Sequence, residues 1–229
     1  EKRCDAIIAI GGSSTIDVAK FIAMMAKNGG SCVEYESGRA ILNESLPLLA
    51  VPTTAGGGSE ATPYSVITNA ATKRKFTITH PFLYPKYAVV DPTLSLTLPR
   101  TSTLASGLDA WVQAVEGYLS AQSNPLVDPW AVRAAELVSQ NLDSVLQNPD
   151  NIAARANMSQ AALMSGMVIA HVRTGLVHTL SVALAPHVRI PHGLLNAIIA
   201  PFVFEFNVEY YRGKLREVAR RMKNVATSD

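Results

Sequence analysis

A short apolar run that ends on two glycines constrains the start of this chain more than any other feature. Residues 6–10 are five apolar or alanine residues in succession, the pattern of a strand buried in a parallel sheet. Gly11 and Gly12 stop the run, and residues 13–15, Ser-Ser-Thr, are of the types that cap a helix. We therefore predict a buried strand, a glycine turn and a helix capped by residues 13–15.

Such a turn is suited to binding an anion. The free amides of a first helical turn point outward, the helix dipole places partial positive charge there, and glycine lets the backbone approach a phosphate closely. A Gly-Gly turn after a strand is also a common plain connection, and this one matches neither GxGxxG nor GxxxxGK[ST]. Residues 6–20 alone leave both interpretations open.

The hydrophobic pattern changes near residue 98. Strands are predicted at residues 6–10, 46–51, 64–68, 75–79 and 87–90, the third and fourth as a β-hairpin and the others as buried strands. Helices are predicted at residues 103–120, 128–147, 151–171 and 176–185, and in two or more pieces over 193–221. The sequence thus predicts a fold in which an α/β domain, residues 1–98, precedes an all-α domain, residues 99–229.

Composition and charge argue against several classes of protein. The chain has 229 residues, 48% hydrophobic and 17% charged, which is typical of a globular protein with a sizeable core. A net charge of +2 offers no electrostatic case for nucleic acid or an anionic membrane. Neither cysteine lies in a CxxC motif, no signal peptide opens the chain, and the longest apolar stretch is too short to span a bilayer. We expect a cytoplasmic protein.

A polar stripe on an otherwise apolar helix marks a candidate chemical site. Asp109, Gln113 and Glu116 lie at i, i+4 and i+7, so they share one helix face. Downstream, His178 and His192 stand 14 positions apart in an apolar segment and could converge on Asp109. Imidazole and carboxylate are ligands that Fe²⁺ or Zn²⁺ takes in catalytic sites. A solvated helix face with histidines packed in the core is the other interpretation.

Five blocks of the sequence resemble, in order, the signature blocks of the iron-containing (group III) alcohol dehydrogenase family. They are GGSSTIDVAK at 11–20, PTTAGGGSEAT at 52–62, DP at 91–92, GLDAWVQAVEGYLS at 107–120 and GLVHTLSVALAPHVRIPHGLLNAIIAP at 175–201. The resemblance implies a dehydroquinate-synthase-like architecture, in which an α/β domain binds NAD(P), a helical domain carries the metal, and the active site lies in the cleft between them. It also implies that the chain is truncated at both ends.

The resemblance assigns roles to individual residues. The first glycine turn would cradle the dinucleotide pyrophosphate, and the Thr-Gly loop of the second block would complete the cofactor pocket. Asp17 would lie near the nicotinamide, and Lys75 would approach the cofactor from the hairpin. The cofactor-binding residues implied in this way are Gly11, Gly12, Ser13, Asp17, Thr53, Thr54, Ser59 and Lys75.

The metal ligands of the family are an aspartate and three histidines. Asp109, His178 and His192 match three of these positions, while Gln113 stands where the remaining histidine is usual. Glutamine is neutral and less basic than imidazole, so it is a poor ligand for Fe²⁺ or Zn²⁺. Val182 stands where many members have another histidine, suited to relaying a proton. The sequence departs from the family pattern at two positions of the site.

The resemblance implies an NAD(P)-dependent alcohol dehydrogenase or aldehyde reductase, a homo-oligomer that acts on a small alcohol or aldehyde, with Asp109, His178 and His192 as catalytic residues. One alternative is a metal-independent reductase of the same family that acts on a polar or anionic oxo compound. There, His178 or His192 would donate the proton, and Arg173 and Arg189 are candidate anion ligands, although surface ion pairing also explains these arginines. A non-catalytic dinucleotide-binding relative is the second alternative.

Overall fold

A computed structural model describes residues 4–72 and 74–223 of the chain. Five β-strands lie within these ranges: β1 (Ile7–Gly11), β2 (Leu48–Pro52), β3 (Tyr64–Thr68), β4 (Lys75–Thr79) and β5 (Tyr87–Ala88). The same ranges contain eight α-helices: α1 (Ser13–Asn28), α2 (Cys32–Glu36), α3 (Arg100–Leu119), α4 (Asp128–Gln147), α5 (Ile152–Val172), α6 (Leu176–Leu184), α7 (His192–Phe206) and α8 (Val208–Lys223).

The chain folds into two compact units. The first takes in the chain up to Thr53 together with Ser59–Asp91, and the second takes in Thr54–Gly58 together with the chain from Pro92 onward. All five strands belong to the first unit, whereas α3 to α8 belong to the second. This confirms the predicted fold class, an α/β part followed by an all-α part.

The first unit contains a parallel sheet and a separate hairpin. The sheet has the strand order β1-β2-β5, and α1 packs on it through a cluster of apolar side chains that includes Ala9, Ile16 and Leu48. The hairpin is antiparallel, with Tyr64 of β3 opposite Thr79 of β4. Its two strands have the predicted bounds, because their alternating pattern and the turn between them are local signals.

The prediction that the parallel strands are buried on both faces is wrong. Ile8 and Ile10 of β1 are 65% and 62% exposed, and Tyr87 of β5 is 61% exposed. β5 is also shorter than the predicted strand at 87–90. Successive side chains of a strand point to opposite faces of its sheet, and within the described residues α1 covers the face of Ala9. An apolar run therefore identified the strands but not which faces are covered.

The second unit is built around α3. This helix contacts α4, α5, α7 and α8, and its apolar residues Ala110, Val112 and Ala114 are completely buried. Gln113 and Glu116 are each only 5% exposed, so the alternative that the polar stripe is a solvated face is wrong for these two residues. The predicted helices are confirmed, and the segment 193–221 divides into α7 and α8. No single described helix is both long and apolar enough to cross a bilayer; α5 and α6 pass such a test only as a pair bent by 100°.

Candidate metal centre and cofactor loops

Three side chains that the sequence singled out converge in the helical unit. Asp109 comes from α3, His178 from α6, and His192 is the first residue of α7. Asp109 Oδ1 lies 3.5 Å from His178 Nε2 and 3.9 Å from His192 Nε2. One potential ligand atom from each residue lies within 4.8 Å of the others, so the three can hold one metal ion.

A glycine brings the start of α7 against α3. A Cβ atom at Gly193 would overlap the carbonyl oxygen of Ala105 and would lie 2.9 Å from Asp109 Cβ. Only a residue without a side chain allows this approach of two helices. Because His192 directly precedes Gly193, the close contact fixes this histidine beside Asp109.

Glu116 holds the ring of His178. Its Oε2 atom lies 2.5 Å from His178 Nδ1, and since a carboxylate only accepts, Nδ1 carries the hydrogen. Nε2 is thereby directed at Asp109. A carboxylate behind a histidine is the usual second partner of a metal-bound imidazole. The sequence placed Glu116 on the polar stripe but did not identify its partner, which depends on where α6 lies.

Glu116 also caps α6. Its Oε1 atom accepts a hydrogen bond from Val177 N at 2.6 Å, and a Cβ atom at Gly175 would lie 2.9 Å from the same oxygen. The first amides of a helix have no partner within the helix, so a carboxylate there stabilises it. The same side chain therefore sets both the start of α6 and the orientation of its histidine.

His192 is oriented in a similar way. Ser181 Oγ, buried on α6, lies 3.1 Å from His192 Nδ1. The other ring nitrogen, Nε2, therefore faces Asp109, as in His178. Both imidazoles present the same atom to the carboxylate, and each has its remaining nitrogen beside a polar partner.

Two carboxylates determine the electrostatics of the site. Burial by itself lowers the pKa of His178, but the hydrogen bonds and charges of Asp109 and Glu116 outweigh it and raise the pKa to about 9. Burial by itself raises the pKa of Asp109, but the hydrogen bond and charge of His178 and the charge of His192 hold this pKa below its usual value. The two carboxylates therefore favour a positive charge next to His178 Nε2, which a proton or a divalent cation can supply.

Gln113 lies beside the three residues but directs its oxygen elsewhere. Its Oε1 atom accepts a hydrogen bond of 3.1 Å from Ser165 on α5, and its Nε2 atom lies 3.5 Å from Asp109 Oδ2. Asp109 meets the histidines through its other oxygen, Oδ1. Val182, at the second departure from the family pattern, is exposed.

The other two histidines of residues 164–193 and the two arginines of the same segment are exposed. His171 is exposed, with Nδ1 2.7 Å from the carbonyl oxygen of Met167, and His187 is exposed as well. Arg173 and Arg189, the candidate anion ligands, are both exposed.

The donor set fits a divalent metal such as Fe²⁺ or Zn²⁺. It offers one carboxylate oxygen and two imidazole nitrogens, the ligand types of catalytic sites that keep a position open. A further observation agrees with this: Asn196, which touches all three residues, has a buried Oδ1 atom that lacks a hydrogen-bond partner. An unsatisfied oxygen beside such a set is a potential ligand.

The first glycine loop connects β1 to α1 directly. Gly12 is the N-cap of α1 and no side chain caps the helix, so the prediction that residues 13–15 do so is wrong: Ser13 is already its first helical residue. A Cβ atom at Gly11 would lie 2.6 Å from Thr15 Oγ1, and Thr53 N donates to Gly11 O at 3.0 Å. The structure thus brings the starts of both predicted cofactor loops together.

Asp17 and Ser59 meet in a buried polar network. Asp17 accepts hydrogen bonds from Ser59 Oγ and, at 3.1 Å, from Val66 N of the hairpin. Lys20, only 1% exposed, donates to Ser59 Oγ at 3.1 Å and to Tyr64 O at 2.8 Å. These bonds tie α1 to the hairpin. The sequence analysis did not identify Lys20, because the spacing of apolar residues in a helix does not show that a lysine among them is buried.

The remaining loop residues have different surroundings. Thr54 is half-buried and Lys75 is exposed on β4. Gly58 has a φ of 62° and lies so close to Gly166 that a Cβ atom at Gly58 would be 2.6 Å from Gly166 Cα. A Cβ atom at Gly56 would be 2.7 Å from Ser106 Cβ. These glycines pack against α3 and α5, a role that the sequence did not reveal.

Two family models match the chain. The model for the iron-containing alcohol dehydrogenase matches residues 1–92, and the model for the C-terminal part of the Fe-containing alcohol dehydrogenase family matches residues 103–229. The NAD-dependent methanol dehydrogenase of Bacillus methanolicus is 35% identical over 91% of this chain and 55% of its own length.

Solved structures give the same result. A 1,3-propanediol oxidoreductase superposes with a TM-score of 0.91 at 36% identity, covering 96% of this chain and 57% of the other. The sulfoacetaldehyde reductase from Bifidobacterium kashiwanohense, in complex with NAD⁺, superposes with a TM-score of 0.88 at 31% identity, covering 97% and 62%. The chain thus spans little more than half the length of the proteins it matches. Its fold and both family models show that it belongs to the iron-containing alcohol dehydrogenase family.

Proposed function

We propose that the chain is the core of an NAD(P)-dependent alcohol dehydrogenase or aldehyde reductase, which transfers hydride between nicotinamide and a primary alcohol or aldehyde. The observation that carries this proposal is the convergence of Asp109 Oδ1, His178 Nε2 and His192 Nε2. Relatives named as an NAD-dependent methanol dehydrogenase and a 1,3-propanediol oxidoreductase support NAD as the cofactor and a small alcohol as the substrate.

The three residues would bind Fe²⁺ or Zn²⁺. When bound, the metal would act as a Lewis acid that polarises a carbonyl oxygen and lowers the pKa of an alcohol. Asp109 contributes negative charge that balances the cation, and Glu116 and Ser181 keep the Nε2 atoms of the two histidines turned toward it. Gln113 hydrogen-bonds the second oxygen of Asp109 at the edge of the site.

The glycine loop at the start of α1 would bind the cofactor pyrophosphate. Its support is the strand, turn and helix N-terminus of β1 and α1, with Gly12 at the cap position and no side chain filling it. Gly11 and Ser13 complete this turn. The other cofactor residues proposed from the family pattern are Asp17, Thr53, Thr54, Ser59 and Lys75. We also propose a cytoplasmic homo-oligomer.

A metal-independent reductase is the second candidate. The observation that favours it is the raised pKa of His178, about 9, which keeps a proton on this histidine between Asp109 and Glu116 near neutral pH. Such a proton can be donated to the oxygen of a carbonyl that receives hydride. The sulfoacetaldehyde reductase among the structural relatives is named for an anionic oxo substrate.

Oxidation of NADH with a panel of aldehydes, including an anionic one, tests both candidates. The chain is assayed as purified, after chelation, and after return of Fe²⁺ or Zn²⁺, beside Asp109→Asn and the control Asp143→Asn on α4. We expect turnover that requires metal and is lost in Asp109→Asn. Turnover that survives chelation supports the metal-independent reductase instead. NADH binding without turnover under every condition would support the alternative of a non-catalytic dinucleotide-binding relative.

A further inference from the structure

Asn196 contacts every member of the candidate metal set. It lies one helical turn after His192 on α7 and is completely buried. Its Nδ2 atom is 2.8 Å from Asp109 Oδ1, 3.1 Å from His178 Nε2 and 3.3 Å from His192 Nε2. The side-chain amide is therefore closer to each of the three atoms than Asp109 Oδ1 is to either histidine.

In this orientation, the hydrogen-bonding groups of the Asn196 amide do not match the atoms around them. A carboxamide nitrogen has two hydrogens, and here it faces three atoms that can ligate a metal. The other end of the same group, Asn196 Oδ1, is buried without a hydrogen-bond partner. A buried polar atom left without a partner is unfavourable. A metal ion, rather than the amide nitrogen, therefore suits the space between Asp109 Oδ1 and the two histidine nitrogens.

Rotating the amide about its Cβ–Cγ bond exchanges its oxygen and nitrogen without changing its shape. Asn196 Oδ1 then takes the position of Nδ2, about 3 Å from three further lone pairs. With both histidine Nε2 atoms deprotonated, as metal binding requires, such a cluster of lone pairs is repulsive unless a cation lies among them. Tetrahedral metal bonds of about 2.0–2.2 Å place ligand atoms roughly 3.3–3.6 Å apart. The separations observed here, 2.8–3.9 Å, bracket that value.

Gln113 lacks these relationships. Its oxygen accepts from Ser165, and its nitrogen faces the oxygen of Asp109 that points away from the histidines. To act as a ligand, Gln113 would have to give up the Ser165 hydrogen bond and leave that buried hydroxyl with one partner fewer. Rotation of Asn196 gives up only the contacts of its nitrogen with Asp109 and the two histidines, which are the atoms that a metal would bind instead, because its oxygen has no partner to lose.

We propose that Asn196, through Oδ1, is the fourth ligand of a metal held by Asp109, His178 and His192. The inference rests on the metal-dependent function proposed above. The family pattern has its fourth ligand, a histidine, at the position of Gln113. The proposal gives this role to a residue of α7 instead. The resulting set has two oxygen and two nitrogen donors, and its amide oxygen is a weaker ligand than imidazole.

Metal affinity and metal spectra of the full chain test the proposal without reference to turnover. Zn²⁺ affinity is measured by competition with a chromophoric chelator, and Co²⁺ is used to record the visible absorption bands, which depend on coordination number. We expect Asn196→Ala to weaken Zn²⁺ binding and to change the Co²⁺ spectrum, whereas Asn196→Asp retains or strengthens binding because it keeps the oxygen and adds charge. Gln113→Leu should weaken Zn²⁺ binding less than Asn196→Ala does and should leave the Co²⁺ spectrum unchanged, because Gln113 contacts Asp109 and not the metal. His187→Ala, an exposed histidine, is the control.

The outcomes separate the inference from the proposed function. Zn²⁺ binding that survives Asn196→Ala with an unchanged Co²⁺ spectrum overturns the inference alone, as does a changed Co²⁺ spectrum in Gln113→Leu. If the unchanged chain binds neither Zn²⁺ nor Co²⁺, both the inference and the metal-dependent function fail. Thermal unfolding without metal shows which variants fold. Should Asn196→Ala not fold, weaker Zn²⁺ binding by folded Asn196→Asp overturns the proposal.

Discussion

Glu116 holds His178 by both its ring and its backbone: the Oε2 atom lies 2.5 Å from Nδ1 and 3.4 Å from the amide nitrogen. The second carboxylate oxygen takes the preceding amide, that of Val177, at 2.6 Å. A single side chain of α3 therefore fixes which nitrogen of His178 faces Asp109. The geometry of the metal centre depends on a residue that would not itself touch the metal.

Glu116→Gln should weaken metal binding. Glutamine has one oxygen, which cannot accept from His178 Nδ1 while also replacing both carboxylate oxygens at the start of α6. Loss of the partner behind a ligating histidine typically lowers metal affinity about 10- to 100-fold. Zn²⁺ competition measures the change, with Glu136→Gln on α4 as the control. Equal Zn²⁺ affinity in both variants would contradict the positioning role of Glu116.

Gly193→Ala should separate α7 from α3. The added methyl group meets the carbonyl oxygen of Ala105, so the helices must move apart and carry His192 away from Asp109. Overpacking of this kind lowers the free energy of unfolding by about 1–3 kcal/mol. Gly213→Ala on α8 is the matched control, because nothing lies within 4 Å of its added Cβ. Urea unfolding of both variants checks the prediction, and a Gly193→Ala variant as stable as the control would refute it.

Lys20 should make stability rise with pH in alkaline solution. Burial lowers the pKa of Lys20 from its usual 10.5 to about 8, although the charge of Asp17 opposes this. Below pH 8 the lysine is protonated in the folded and the unfolded chain. Between about pH 8 and 10.5 only the unfolded chain retains the proton, so the free energy of unfolding increases through this window.

Comparison with Lys20→Met isolates this effect. The difference in urea-unfolding free energy between the unchanged chain and the variant should shift in favour of the unchanged chain as pH rises from 8 to 10, because the methionine cannot titrate. A difference that is independent of pH across this range means that Lys20 keeps its proton when buried.

Gly12→Asp should have opposite effects on stability and on cofactor binding. Gly12 has a φ of −74°, which any residue adopts, and aspartate is a favoured N-cap next to the positive end of a helix dipole. The fold should be unchanged in stability or gain a few tenths of a kcal/mol. The carboxylate would nevertheless compete with the NADH pyrophosphate, so affinity falls.

Titration of NADH fluorescence checks this, with Gly12→Asn as the neutral control of equal size. Asparagine should weaken NADH binding less than aspartate does. If both variants bind NADH as the unchanged chain does, the pyrophosphate lies somewhere other than the N-terminus of α1.

Local patterns were sufficient for most of the fold. The hairpin and the helices follow from alternation, helical spacing and turn residues that lie within a few positions of one another. The exposure of Ile8 could not be predicted, because an apolar run does not show which elements cover each face of a sheet. The N-cap of α1 was predicted among residues 13–15, but Gly12 takes this position.

The sequence identified the residues of the candidate site that stand out by helical spacing and match a family pattern. Asp109, His178 and His192 were identified in this way, and the structure brings them together. The sequence placed Glu116 on the polar stripe without identifying its partner His178, 62 positions away, and it did not identify Asn196, whose partner Asp109 lies 87 positions away. A one-turn spacing from His192 was the only signal for Asn196, and apolar helices contain many such polar residues.

The segment Thr54–Gly58 folds with the helical unit, although its neighbours in the chain on both sides fold with the α/β unit. The chain consequently passes from one unit to the other three times, after Thr53, after Gly58 and after Asp91. A fragment that starts at Pro92 would therefore lack a piece of its own core, and the backbone of Gly166 would lose the glycine that packs on it. Dissection of this protein into separately expressed halves requires that the helical half be supplied with residues 54–58, by permutation or as a fused peptide.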